Sequence, residues 1–536
     1  MICHCNIPIR SFFTNDVLSS QYQYVATHSI AQFECNNYAH THKWFITGHL
    51  FCKPNDNKDC CRSTLTDICF GIAIMASWCK IRIIKMSKDS DTEADIVEDV
   101  AELMDGLLKE LQDLYAFRDL FFENHPIEMA TEKNKRVEEK KEVLIEKFES
   151  IDVDSQIPFA HRAKFLYMKG RCYNICPTYD ARATQCLSKA VKLNPHLIDA
   201  WNELGECYWK NMNVKEAKAS FEGALKHERN RLSLRCLSII LRQESGDKKR
   251  SEAHPAILKS VELAREAVAQ DIKDGVSWTV LGNAYLCQFF MVAQDPDTLK
   301  QSMKAYRQAA LDPIAKGQPD LYYNKGIALK YSEFYDEALQ NFKYASRLDP
   351  PWEPPKQEHT RLMTFVSSAH ALVKTRGKLK GKRLATMVQS IDKKMLGLYG
   401  EGNLHAFADR REVALARTRI DALQEGPNEG KVILGKVVGS IHNDNAVPFT
   451  FALVDESMEC VLVTVYNWAD GRGTIIGDCV AIPEPLMRTH KHESEDVTYD
   501  FKSIRVNNPL LLLLNGKRVS RNQFACTRVT STYEIH

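Results

Sequence analysis

The chain has 536 residues, 26% of them charged and 44% hydrophobic, with a formal net charge of +2. That length leaves room for about three or four domains, and the proportions are ordinary for a globular protein. The near-neutral balance excludes a whole-molecule pull toward nucleic acid or membrane, so any such affinity has to be local.

Eight of the 17 cysteines stand before residue 80, in a stretch also rich in His, Asn and aromatic residues and without a sustained helical or strand period. Residues 1–85 are therefore assigned no domain and expected to be a disordered or artefactual extension. No ligand spacing there supports a metal module. Cys172 and Cys176 likewise lack a partner pair, so no metal and no cofactor is expected. The apolar run over 68–79 is too short to span a bilayer. With no secretory start, scattered thiols point to a reducing, intracellular setting. Met86 opens an acidic run that reads as a natural start feeding a helix.

From Ile96 the apolar positions step by three and four: Leu103, Leu107, Leu108, Leu111, Leu114. A second, charged helix is expected over 131–148, and the two form a first divergent pair or cap. Then a fixed pattern recurs. Trp201, Leu204, Gly205 and Tyr208 lie on one helical face, and Ala217, Phe221 and Ala224 form the matching face of the next helix. This is the spacing of a tetratricopeptide repeat. Gly170 with Leu187 precedes it. Leu234 and Ser238 with Ser260, Ala264 and Ala267 follow, with a loop expected between Glu244 and His254. Trp278, Leu281, Gly282 and Tyr285 restart the motif, which closes at Ser302, Tyr306 and Ala309 after a further insertion. Tyr322, Gly326, Leu329, Ala338, Phe342 and Ala345 complete the last unit. Helix pairs of this kind cannot bury their apolar faces alone and must stack. The prediction for 86–375 is a repeat solenoid with capping helices, ended by Pro350, Pro351, Pro354 and Pro355 and a last helix over 357–374.

Residues 376–427 are read as a basic segment and linker with one helix over 411–423. Six cations fall within 374–383 (Lys374, Arg376, Lys378, Lys380, Lys382, Arg383), a density suited to a phosphate backbone. From 428 the period changes to alternation, with Val432, Leu434, Val437, then Phe449, Phe451, Leu453, then 461–465. About five strands in roughly 105 residues predict a small β-barrel of OB-fold type over 428–536. Phe449, Phe451, Tyr466 and Trp468 are candidates for stacking on single-stranded nucleic acid. No phosphate loop, nucleophile elbow or His-Glu-x-x-His pair is present, so the chain is read as non-enzymatic. Specificity should lie in the solenoid groove, where spacing turns Asn202, Glu206, Arg242, Asn283, Asp320, Tyr323 and Lys330 inward. An Arg on one wall and acids on another suit a short peptide bearing both signs.

Repeats containing Ala-Trp-Asn-Glu-Leu-Gly-Glu-Cys-Tyr-Trp-Lys (200–210), Asp-Gly-Val-Ser-Trp-Thr-Val-Leu-Gly-Asn (274–283) and Leu-Asp-Pro-Pro-Trp (348–352) precede a barrel containing Val-Pro-Phe-Thr-Phe-Ala-Leu-Val-Asp (447–455) and Gly-Asp-Cys-Val-Ala-Ile-Pro-Glu-Pro (477–485). The combination resembles the tetratricopeptide repeat protein 5 (Strap) family over about 93–518. The resemblance implies an adaptor that reads the nascent tubulin N-terminus, Met-Arg-Glu-Ile or Met-Arg-Glu-Cys, at the ribosome and triggers decay of tubulin messenger RNA through a decay adaptor. It also implies a nuclear scaffold role in the p53 stress response, joining a histone acetyltransferase and a junction-mediating actin regulator. Cytoplasmic and nuclear locations follow. By the same resemblance Arg242 pairs with the peptide's Glu, Asp320 and Glu353 with its Arg, and Lys380 and Lys382 contact ribosomal RNA. At Glu353 the chain departs from the family, which carries its acid one residue later.

Overall fold

A computed structural model describes residues 27–33, 44–50, 93–245, 250–400, 404–405, 412–413, 415–441, 448–469, 471–494 and 497–525. They fall into two compact units, Met1–Glu98 and Asp99–His536. In the first, β1 (Thr27–Phe33) pairs antiparallel with β2 (Trp44–Leu50), Thr27 opposite Leu50. Part of the stretch expected to lack a regular period thus forms a hairpin. The rest of 1–85, with the apolar run over 68–79, lies outside the described residues.

The second unit opens in α1 (Glu93–Asp119) and α2 (Ala130–Glu149). Five helix pairs follow: α3 (Phe159–Tyr173) with α4 (Ala181–Leu193), α5 (Ile198–Lys210) with α6 (Val214–His227), α7 (Arg231–Gln243) with α8 (Arg250–Gln270), α9 (Gly275–Met291) with α10 (Pro296–Ala309), and α11 (Pro319–Tyr331) with α12 (Tyr335–Leu348). One contact explains the spacing of the repeat. A β-carbon added at Gly170, Gly205, Gly282 or Gly326 would lie 2.5–2.6 Å from Leu187, Phe221, Tyr306 or Phe342 respectively, so only glycine lets the paired helix come that close. Leu187, Phe221, Tyr306 and Phe342 are all fully buried, and enclosing a side chain of that size stabilises by about 1.5–3 kcal/mol. The α7/α8 pair breaks the rule in an informative way. Ser238 occupies the glycine position, and its hydroxyl donates to the Ser260 carbonyl at 2.8 Å. The two motif tryptophans also do the same work: Trp201 donates to the Pro195 carbonyl at 2.8 Å and Trp278 to the Ile272 carbonyl at 2.9 Å.

Several predicted bounds shift. Where an insertion was expected after Tyr285, α9 continues to Met291 and buries Leu286, Phe289 and Phe290. The helix α13 (Glu353–Lys374) begins four residues ahead of 357, because Pro354 and Pro355 fall in its first turn, where a missing N–H costs little. Among the described residues of 411–423 no α-helix forms. Instead Ala416–Arg417 runs parallel to Lys431–Val432, and a single 3-10 turn covers Ile420–Ala422, with the Ile420 N–H donating to Asp455 at 2.6 Å. The free edge of a strand offers those backbone groups partners that local propensity could not foresee.

The C-terminal sheet has six main strands: β3 (Lys431–Ile441), β4 (Phe449–Val454), β5 (Cys460–Val465), β6 (Cys479–Pro483), β7 (Leu486–Ser494) and β8 (Val497–Val506). Their order is β6-β3-β4-β5-β8-β7, all antiparallel except β5 with β8, and the short strands Leu513–Leu514 and Gly426–Pro427 flank the two ends. The sheet path does not close through hydrogen bonds among the described residues, so the predicted barrel is an open OB-fold sheet wrapped on a core of Ile433, Phe451, Val463, Ile482 and Ile504.

Candidate functional site

The first helices of successive pairs, α3, α5, α7, α9 and α11, stand side by side, and their neighbouring faces carry most of the residues expected in the groove. Arg242 lies in the last turn of α7 and is 4% exposed. Its guanidinium donates to the Ser238 hydroxyl at 2.7 Å and to the Ser238 carbonyl at 3.2 Å. The serine that replaces the motif glycine therefore also holds the arginine one turn on. Asp320 stands in the first turn of α11 and is 1% exposed. Tyr306 on α10, fully buried, links the two. Burial pushes its phenol far up, Arg242 pulls it down and Asp320 pushes it up, so both charges act on one hydroxyl. That hydroxyl donates to Asn283 Oδ1 on α9 at 2.8 Å. Arg242, the Tyr306–Asn283 pair and Asp320 thus place buried polar groups of mixed sign on neighbouring helices of the solenoid.

Other predicted groove residues have structural employment. Asn202 bridges α5 to α7, donating to Asn230 at 3.1 Å and accepting from Ser233. Lys330 is taken by Glu358 at 2.8 Å. Burial raises the Glu358 carboxyl, but Lys330 and Arg361 outweigh that and hold it below the usual carboxylate range. Tyr323 packs against Trp352, with ring centres 5.0 Å apart. Glu353 is exposed at the start of α13 and pairs with Lys356 at 3.0 Å; the buried carboxylate of this helix is Glu358, which the sequence reading passed over. Glu206 is half-buried on α5. Beside it Glu203 is raised to about 7 by burial first and then by the charge of Glu206, although Arg171 and Asn174 hold it.

Lys380 and Lys382 belong to a ledge rather than a loose linker. All six cations of 374–383 are exposed, and none has a carboxylate partner among the described residues. The ledge is fixed from beneath. Leu384 and Val388 of α14 (Gly381–Gln389) pack on Val438, Ala452 and Val454. Between α13 and α14, Arg376, Gly377 and Lys378 are consecutively left-handed (φ +48, +74 and +56). A β-carbon at Gly377 would meet the Val438 carbonyl oxygen at 2.0 Å, so the turn is pressed directly on β3.

Tetratricopeptide repeat protein 5 of Homo sapiens is 40% identical over 439 residues, spanning 82% of this chain and 98% of that protein. The Mus musculus protein of the same name is 40% identical over 442 residues, again 82% and 98%. The chain belongs to the tetratricopeptide repeat protein 5 family. Its residues 414–528 match the tetratricopeptide repeat protein 5 OB fold domain. The chain joins a repeat solenoid to an OB-fold domain and is a repeat-based adaptor.

The family's two domains meet here through a buried polar joint that sequence reasoning missed. Glu333 sits between α11 and α12 in a left-handed turn (φ +62). Met212 occupies the equivalent turn between α5 and α6 with φ +60 but is 78% exposed. Glu333 is instead covered by the OB-fold domain. Thr464 of β5 donates to it at 2.6 Å, and Arg505 and Arg488 lie 3.5 and 3.8 Å away. Arg505 also donates to the Tyr331 carbonyl at 2.6 Å and lies over the Tyr466 ring at 3.9 Å. The only hint in the sequence was an acid at a position where its sister repeat is indifferent. The predicted stacking aromatics are accounted for by the same packing. Phe451, Tyr466 and Trp468 are 0, 2 and 4% exposed and fill the core and the joint, while Phe449 is half-buried with its ring 5.3 Å from that of Trp468.

Proposed function

We propose that this adaptor recognises the nascent N-terminal peptide of tubulin, Met-Arg-Glu-Ile or Met-Arg-Glu-Cys, in its repeat groove at the ribosome, and thereby recruits the machinery that degrades tubulin messenger RNA. The observation that carries the reading is the placement of Arg242 on α7 and Asp320 on α11, both buried, on the helices packed to either side of α9. A cation and an anion at one site ask for a ligand with adjacent charges of opposite sign, here the peptide's Glu for Arg242 and its Arg for Asp320. Glu353 has a subordinate part at most, since Lys356 already engages it. A charge-assisted pair of this kind is worth about 1.5–3 kcal/mol, or roughly ten- to a hundredfold in affinity. Two such pairs select a sequence without binding it tightly.

The ledge supplies the second contact. Six exposed cations on a fixed platform suit ribosomal RNA phosphates, and with Lys380 and Lys382 engaged the groove meets each emerging peptide at raised effective concentration. The test is titration of a labelled Met-Arg-Glu-Ile peptide against the full chain. Arg242→Ala is expected to weaken binding at least tenfold, and Lys380→Glu with Lys382→Glu to abolish ribosome co-sedimentation while leaving peptide binding intact. Equal peptide affinity of wild type and Arg242→Ala would overturn the reading.

A further inference from the structure

Strand β7 leaves most of one edge unpaired. It pairs with β8 along its whole length, from Leu486 opposite Arg505 to Ser494 opposite Val497, but on its other side Gly426–Pro427 reaches only Leu486 and Met487. The Thr489 N–H donates away from β8, to the Glu425 carboxylate at 3.2 Å. Alternate residues of a strand turn their backbone groups to the same side, so Lys491 and Glu493 also hold out an N–H and a C=O there. No strand among the described residues takes them. Such a row is a template for one further strand. The two faces of this edge differ. On the face turned from the solenoid, the Lys491 and Glu493 side chains bond each other at 2.6 Å, a charged cover that discourages indiscriminate pairing. His490 and His492 turn to the other face, where His492 Nδ1 meets Asp336 of α12 at 2.7 Å.

Between β7 and the start of α12 lies a cavity of about 200 Å³. Thr489 and Lys491 line it together with His490 and His492, so the backbone of the open edge is one of its walls. Glu333, Asp336 and Glu337 give it three carboxylates against the ammonium of Lys491, which Glu493 already engages. Glu333 is held by Arg505 and Arg488, and Asp336 by His492. Glu337, exposed in the first turn of α12, has no ion-pair partner among the described residues. Beside it, Phe334 is 51% exposed and Val366 adds apolar wall. The volume falls below the roughly 300–1,000 Å³ of small-molecule sites. It suits one long side chain, with an aliphatic stem on Phe334 and a cationic head at Glu337. We propose that β7 and this cavity bind an extended segment of a partner protein, added as a strand beside Lys491 and Glu493 with one Lys or Arg lodged against Glu337 and Asp336. Strand addition draws affinity from backbone bonds and specificity from pockets for alternate side chains, and both parts adjoin here. Asp320 lies at the opposite end of α11, and this surface does not depend on the groove reading.

The test uses the full chain and a synthetic peptide, Thr-Thr-Val-Arg-Val-Thr-Thr, beside the same peptide with Glu in place of Arg. Affinity is read together with amide hydrogen exchange at Lys491 and Glu493. The Arg peptide is expected to slow exchange at both amides, and the Glu peptide to bind about tenfold more weakly. Glu337→Lys, a change at an exposed position, should remove that preference. Lys491→Pro deletes an outward N–H while leaving the bonds to β8, a place where an edge strand tolerates proline, and should abolish binding of both peptides. Unchanged exchange at Lys491 and Glu493 under excess Arg peptide, or the same preference for Arg in Glu337→Lys, would overturn the proposal. Binding that survives Lys491→Pro and is displaced by Met-Arg-Glu-Ile would put the peptide in the repeat groove and overturn it too. Failure of Met-Arg-Glu-Ile to bind the chain would count against the groove reading alone.

Discussion

Removal of the Glu333 carboxylate is the sharpest test of how the groove and the ledge are held in one frame. Glu333 is wholly buried and accepts from Thr464 at 2.6 Å, with Arg505 and Arg488 at 3.5 and 3.8 Å. Breaking a buried ion pair by deleting one partner typically costs about 3–5 kcal/mol, because the remaining charge stays buried without its counter-ion. Here the lower end applies. Arg505 keeps the Tyr331 carbonyl at 2.6 Å, Asn507 at 2.7 Å and the Tyr466 ring at 3.9 Å, and the Arg488 side chain is 27% exposed, so water can reach it. Glu333→Ala should therefore lower stability by about 3 kcal/mol. Glu333→Gln keeps an acceptor for Thr464 and should cost about half as much. The assay is urea unfolding of the full chain followed by two probes, one reporting on the repeats and one on the OB-fold domain. The two transitions should coincide in wild type and separate in Glu333→Ala, because the joint is what couples them. A double variant with Arg488→Ala should be less destabilised than the sum of the single variants, since the orphaned charge is then gone. Midpoints within about 0.5 kcal/mol of wild type for both single variants, with coincident transitions, would refute the reasoning.

The turn beneath the ledge gives a second expectation. Gly377→Ala puts a β-carbon 2.0 Å from the Val438 oxygen at φ +74, so it should cost at least about 2 kcal/mol in thermal unfolding. Gly381→Ala, four residues on with nothing within 4 Å, should be neutral or mildly stabilising. A third concerns pH. Burial, then the charge of Arg488, pushes the His490 imidazole down from 6.5 to about 4. Below pH 6.5 the unfolded chain takes up a proton that the folded chain refuses until about pH 4. Stability from this group is thus fully present above pH 6.5 and lost progressively as pH falls toward 4, by about 3 kcal/mol in all. Unfolding of wild type and His490→Gln compared at pH 7.5 and 5 should show a smaller loss in the variant, and an equal loss in both would count against a neutral buried His490.

The joint, the ledge and the groove make sense as parts of one device. Under the proposed function, a groove that gains a few kcal/mol from two charge pairs has modest affinity, so recognition during synthesis would need the groove held near the emerging chain. A flexible linker between solenoid and ledge would spread that effective concentration over a large volume. Instead, Gly377 is pressed on Val438 and Glu333 is locked under β5, so a ledge on the OB-fold domain also fixes where the groove points. In that proposal the OB-fold domain serves as a bracket, in keeping with the burial of Phe451, Tyr466 and Trp468.

What the sequence disclosed and what it withheld divide along physical lines. The glycine-to-aromatic spacing of the repeats was legible because each glycine answers to a partner 16 to 24 residues later, as Gly205 to Phe221 and Gly282 to Tyr306, within reach of one helix pair. The same spacing singled out Arg242, Asn283 and Asp320, all of them buried. Their joint relation to Tyr306 was not legible, because Tyr306 matches the motif and so looked like core alone. Glu353 drew attention as an acid near the end of the repeats, yet helix start decides its fate: with Pro354 and Pro355 accepted into the first turn, it becomes the exposed first residue of α13. The helix expected over 411–423 failed because its backbone found a strand edge in β3. Glu333 was invisible because its partner, Thr464, lies 131 residues away and no local period registers a contact across two domains. The recurrent contacts could be read from the chain; those made once, between parts distant in sequence, required the fold, and the proposed recognition depends on both.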